Sequence, residues 1–181
     1  MKHTYKTYKT MKKITRNYAI SMFQNLGAMA LGHMDETTLS ATLDNFDKFR
    51  QVQEDFQKLS QELAKRLYEG KDEEQKNAFF ALVGKLEQEK DIEKKVEIEK
   101  EMKEYPEFFE LYIKHLNVLA KLLYKEIDVD ITEVDKDAFI SGVVKGKKDA
   151  PVHEIVAFFA PMFKEEEKKE TDLSELDEYF N

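Results

Sequence analysis

The chain has 181 residues, of which 41% are hydrophobic, 12% aromatic and 36% charged, with 6 Gly, 3 Pro and no Cys. That length and apolar content support one real core, and the lack of Cys excludes disulfides and thiolate metal sites. A net charge of −8 argues against broad binding to nucleic-acid backbone, and no run of about 18 apolar residues is present to form a membrane-spanning helix.

The charge is uneven. Met1 to Met34 carries Lys2, Lys6, Lys9, Lys12, Lys13 and Arg16 and no acid. Residues 1–11 read as a mobile basic arm, with Met11 an alternative start. Tyr5 and Tyr8 could stack on bases. Lys12 to Thr15 suits a short strand. Residues 17–31 suit a first helix with Asn17 at its cap, an apolar face of Ile20, Phe23, Leu26, Ala30 and Leu31, and Gly32 as its stop. Met22, Met29 and Met34 add soft core packing. Ala28-Met29-Ala30 mimics a leader-peptide cleavage site, but Gln24 and Asn25 interrupt the apolar run before it, which argues against secretion.

Asp35 to Glu69 contains no Gly or Pro. Leu39, Leu43, Phe46, Phe49, Val52, Phe56, Leu59, Leu63 and Leu67 recur at steps of three or four, predicting a long amphipathic helix capped by Asp35. Gly70 stops it and Asp72 caps the next, an antiparallel neighbour built on Phe79, Phe80, Leu82, Val83 and Leu86. That helix is expected to continue through the charged stretch to Tyr105. Pro106 then opens a helix whose broad apolar face makes it the expected most buried element.

At Glu126 the period changes from 3.6 to 2. Ile127, Val129 and Ile131 alternate with Asp128, Asp130 and Thr132, predicting a half-buried strand that pairs with Lys12–Thr15. Asp135 caps a short helix, Gly142 and Gly146 with KGKKD mark a loop, and Pro151 opens a last apolar helix ending near Pro161. The acidic tail, 164–181, holds an amphipathic turn of Leu173, Leu176, Tyr179 and Phe180. The whole predicts a mainly α fold: a multi-helix bundle on a long antiparallel helical hairpin, with at most a small two-stranded β element. Residues 12–163 form a single helical domain in this reading.

Chemistry-bearing patterns are sparse. Asp128-x-Asp130-x-Thr132 resembles the first motif of haloacid-dehalogenase-type phosphatases, where the first Asp is the nucleophile and the second a general acid/base. That motif needs a parallel α/β sheet after it, and the remaining fifty or so residues read as helical, so the two carboxylates are expected on the solvent face of an edge strand. The stretch also fails as a calcium loop, with Glu133 at the sixth position and Phe139 at the twelfth. His3, His33, His115 and His153 have no metal spacing, and His115 reads as a hydrogen-bonded core residue. Lys145, Lys147 and Lys148 around Gly146 read as a solvated turn. No catalytic, cofactor or metal residues are therefore assigned, and no enzyme is expected.

Three segments, KKITRNYAISMFQNL, NFDKFRQVQEDFQKLSQELAKRL and EIDVDITEVDKDAF, resemble a family of small uncharacterised helical proteins of tailed phages. The resemblance implies an accessory or assembly role, in host cytoplasm or virion, and brings no catalytic residues. The functional expectation is a non-enzymatic protein-interaction or assembly protein, meeting a protein partner or itself and no membrane. Its expected contact residues are Lys6, Lys9, Lys12 and Lys13 of the arm and Leu173, Leu176, Tyr179 and Phe180 of the tail. The alternative is a nucleic-acid-binding accessory protein that uses the basic arm.

Overall fold

The computed structural model describes residues 8–164. They form β1 (Lys9–Thr15), α1 (Arg16–Ala28), a 3-10 turn (Leu31–His33), α2 (Glu36–Tyr68), α3 (Glu73–Gln88), α4 (Ile92–Met102), α5 (Pro106–Tyr124), β2 (Glu126–Thr132), α6 (Lys136–Gly146), α7 (Val152–Phe159) and a final 3-10 turn (Ala160–Met162). The fold is mainly α with one two-stranded antiparallel sheet, β1 on β2, as the pattern predicts. The chain packs as two compact units, one drawn from residues 8–10, 29–45 and 131–164, the other from 11–28 and 46–130.

Local chemistry sets the element boundaries. Asp35 accepts from the Thr38 amide at 3.0 Å and the Thr38 hydroxyl at 2.7 Å, capping α2 and holding the Asp35 carboxyl below its usual range. Gly70 takes φ +72°, which lets the chain leave α2, and Asp72 caps α3 through the Gln75 amide at 2.8 Å. Pro106 sits in the first turn of α5, and Asp135 caps α6 through the Ala138 amide at 2.9 Å.

Five boundaries differ from the sequence reading. Helix α1 ends at Ala28, short of the stop expected at Gly32, which lies in a separate 3-10 turn. β1 begins at Lys9, inside the stretch read as a mobile arm. The cap of α1 is Thr15, whose hydroxyl accepts from the Tyr18 amide at 3.2 Å, rather than Asn17. The helix expected to run to Tyr105 breaks at Glu89–Asp91. There Glu89 takes the amides of Lys90 and Asp91, and Asp91 takes those of Glu93 and Lys94. Those carboxylates offer the backbone an alternative to the helical ladder, so α4 starts afresh. Finally, Gly142 and Gly146 lie inside α6 rather than in a loop.

In the unit that contains α6, Phe139 packs on Phe159 and Phe163 with ring centroids 5.6 and 5.4 Å apart. Met34 and Ile131 are also buried in this unit. Gly142 is required by close approach: a Cβ there would lie 2.5 Å from Met34 Cγ and 3.0 Å from Met34 Cα. The buried line of α2 in this unit is Thr38, Ala41, Thr42 and Asn45, and Leu43 is left 45% exposed. The polar members are satisfied. Thr42 donates to the Thr38 carbonyl at 2.8 Å. Asn45 clasps the backbone of Thr132, accepting from its amide at 2.8 Å and donating to its carbonyl at 2.7 Å, as another strand would. The Thr132 hydroxyl donates to Asp44.

In the other unit, Phe79, fully buried, is surrounded by the rings of Tyr105, Phe108 and Tyr112, with centroids 5.8 to 6.4 Å away. Tyr68, Leu82, Val83 and Met102 close the cluster. Helix α1 buries Ala19, Ile20, Met22 and Leu26. Its first residue, Arg16, donates from its amide to the Lys125 carbonyl at 3.1 Å and from its guanidinium to the Leu122 carbonyl, which occupies two carbonyls at the end of α5.

The two kinds of helical glycine give opposite predictions. Gly142→Ala overpacks against Met34 and lowers the folding free energy by about 1–3 kcal/mol. Gly84→Ala in α3 meets nothing within 4 Å and raises it by about 0.5–1 kcal/mol. Urea denaturation of both variants checks the pair. Equal effects would mean that α6 and Met34 are not in the described contact.

Candidate functional site

The sequence of α5, PEFFELYIKHLNVLAKLLY, carries two apolar stripes about 100° apart. The first runs through Phe108, Tyr112, His115 and Leu119. The second runs through Phe109, Ile113, Leu116 and Ala120. The aromatic cluster around Phe79 covers the start of the first stripe, and Phe108 is 1% exposed. The second stripe is covered only at its start, where Phe109 packs against the same cluster. Ile113 and Leu116 are each 44% exposed, Ala120 is exposed, and Phe109 is half-buried. The expectation that α5 is the most buried helix is thus corrected: Phe108 is its one buried residue. The apolar face is broader than its neighbours can cover. Leu59, Ile92 and Val96 of the same unit also stand open to solvent.

Where α2 turns into α3, a cleft of about 540 Å³ is lined by Lys65, Tyr68, Glu73, Lys76, Phe80 and His115, among others. The Tyr68 hydroxyl and His115 Nε2 are sealed from solvent and have no hydrogen-bond partner among the described residues, and their rings lie 6.0 Å apart. His115 is therefore not the hydrogen-bonded core residue expected from its stripe. Loss of hydration pushes the His115 imidazolium pKa down and the Tyr68 phenol up, the latter with a smaller contribution from Tyr112. Among the described residues no carboxylate bonds His115. Lys76 is paired with Glu73 at 2.5 Å across the rim, which neutralises the charge there.

The residues singled out from sequence are dispersed. Lys9 and Lys13 are exposed on β1 and Lys12 is half-buried. Lys6 and His3, like Leu173, Leu176, Tyr179 and Phe180 of the tail, lie outside the described residues. Asp128 is exposed on β2, and Asp130 faces Lys48 at 3.8 Å. This is the solvent-side placement expected for both. Among the described residues no group of three His, Cys, Asp or Glu could hold a metal ion, and no helix is long and apolar enough to cross a membrane. Lys145 and Lys147 sit at the carbonyl end of α6, where cations complement the helix dipole and no amides point at a phosphate.

Comparison with family models, curated proteins and solved structures returned no match to this chain. The second stripe of α5 was missed by sequence reasoning although its spacing was visible. Periodicity shows which residues share a face, but only the packed structure shows whether a neighbour arrives to cover it.

The His115 environment predicts a pH effect. The folded chain holds His115 below its ordinary value near 6.5, so the unfolded chain takes up the proton first as pH falls. This contribution to stability is whole above about pH 6.5 and declines below it, until the folded-state value is reached. Denaturation midpoints at pH 7 and pH 5 should therefore fall further for the native chain than for His115→Phe. Equal declines would show that His115 is hydrated in the folded state.

Proposed function

We propose that this chain is a non-enzymatic interaction protein that meets another protein chain through the second stripe of α5. The observation that carries the reading is the joint exposure of Ile113 and Leu116, at 44% each, on a helix whose other flank is packed against the Phe79 cluster. Large apolar side chains grouped on one helix flank mark a surface that another helix can cover. The charged residues that border it keep the uncovered state in solution. The resemblance to tailed-phage proteins agrees with an accessory role in assembly, in which a small helical protein binds and is released. On this reading His115 and the dispersed carboxylates have no catalytic role.

The test separates a contact surface from a structural one. Ile113→Gln with Leu116→Gln should change the folding free energy by less than about 1 kcal/mol, since both side chains are already half in water. A photo-reactive benzoylphenylalanine at position 116, in the cells that make the protein, should yield a covalent adduct with a protein chain, either a copy of itself or a different one. The same group at exposed Asp137 serves as the control. A large loss of stability in the double variant, or equal adducts at both positions, would overturn the reading.

A further inference from the structure

Apart from the contact surface on α5, we propose that the cleft where α2 turns into α3 binds a small neutral molecule with a flat apolar body and one hydroxyl, of the phenol type. Its volume of about 540 Å³ is ordinary for a ligand site. Two of its lining residues carry the argument. The Tyr68 hydroxyl and His115 Nε2 have no hydrogen-bond partner among the described residues, Tyr68 is only 6% exposed, and the two rings lie 6.0 Å apart. Buried polar groups are nearly always bonded. Two unmet ones in the wall of one cleft mark the place where a polar group brought in from outside gains most.

The chemistry of the pair selects the group. A hydroxyl accepts and donates through one atom, so it takes the Tyr68 O–H and gives its own proton to an unprotonated His115 Nε2. If Nε2 carries the proton, the same oxygen has a second lone pair to accept it. A carboxylate has no proton to give and an ammonium has no lone pair, so each suits a single tautomer of His115. The rim holds Lys65, Lys76, Glu69 and Glu73, two cations and two anions, with Lys76 tied to Glu73 at 2.5 Å, so it favours neither sign of ligand. Phe80 stands edge-on to Tyr68 with ring centroids 5.1 Å apart and is 37% exposed. It offers the ligand body an aromatic face. Because the polar pair is sealed in the free chain, the ligand reaches it by displacing a wall side chain, and half-open Phe80 has room to turn.

Titration of the isotope-labelled full chain with phenol and with toluene, read from the ring signals of His115 and Phe80 by NMR, tests the proposal. Phenol should move both residues' signals and saturate with a Kd on the order of 1 mM, ordinary for so small a ligand, while Phe139 of the other unit stays fixed. Toluene has nearly the same shape without the hydroxyl and should bind at least about fivefold more weakly. Tyr68→Phe should weaken phenol at least about threefold and leave toluene unchanged. Its denaturation midpoint should equal or exceed that of the native chain, since the hydroxyl it removes has no partner to lose. Equal binding of phenol and toluene, or no shift at His115 with either, would overturn the inference. So would a Tyr68→Phe chain clearly less stable than the native one, which would show the hydroxyl already bonded, to water or to His115, in the free protein.

Discussion

The packing of Phe79 is the constraint on which the functional unit depends. This ring is fully buried and touches the rings of Tyr105, Phe108 and Tyr112, so it joins α3 to the α4–α5 turn and to the first two turns of α5. Aromatic side chains bury large areas and favour tilted and edge-to-face geometries. Once Phe79 fixes which side of α5 faces inward, the rotation of that helix is set. Phe108 and Tyr112 go in. Ile113 and Leu116, about 100° around the helix, are left 44% exposed. The exposed stripe follows from a core that uses only one flank of a helix with two.

The open flank would be a liability in a chain whose only task was to fold. Exposed apolar residues scattered singly are ordinary, but a row at helical spacing on one face is a surface with a use. The cleft beside Tyr68 and His115 differs in kind. The Tyr68 hydroxyl and His115 Nε2 there are sealed and have no hydrogen-bond partner among the described residues, and Lys76 at the rim is paired with Glu73.

Much of the fold was legible in single residues. Asp35, Asp72 and Asp135 cap helices because a short carboxylate reaches an amide two or three residues on, and Gly70 ends one because it can adopt positive φ. The alternation from Glu126 to Thr132 gave the strand. The break before α4 was not legible, because Glu and Lys are good helix formers and the competition came from the Glu89 and Asp91 side chains bonding nearby amides. The buried line of α2 was misjudged near its start: Thr38, Thr42 and Asn45 go inside because each has a hydrogen-bond partner there, and Asn45 finds its partner eighty-seven positions away. The burial of α5 was overestimated for the complementary reason. Its apolar residues are all visible in the sequence, but the number of neighbours that reach them is a property of the packed chain.

The central claim is that Ile113 and Leu116 sit in water in the free chain and are covered when another protein chain meets α5. Methyl NMR of the isotope-labelled protein, alone and in lysate of the cells that make it, measures this directly. The Ile113 and Leu116 methyl signals should shift in the lysate, while those of Leu82, buried in the Phe79 cluster, stay fixed. If the Ile113 and Leu116 signals stayed as constant as those of Leu82, α5 would not be the surface on which this chain meets another.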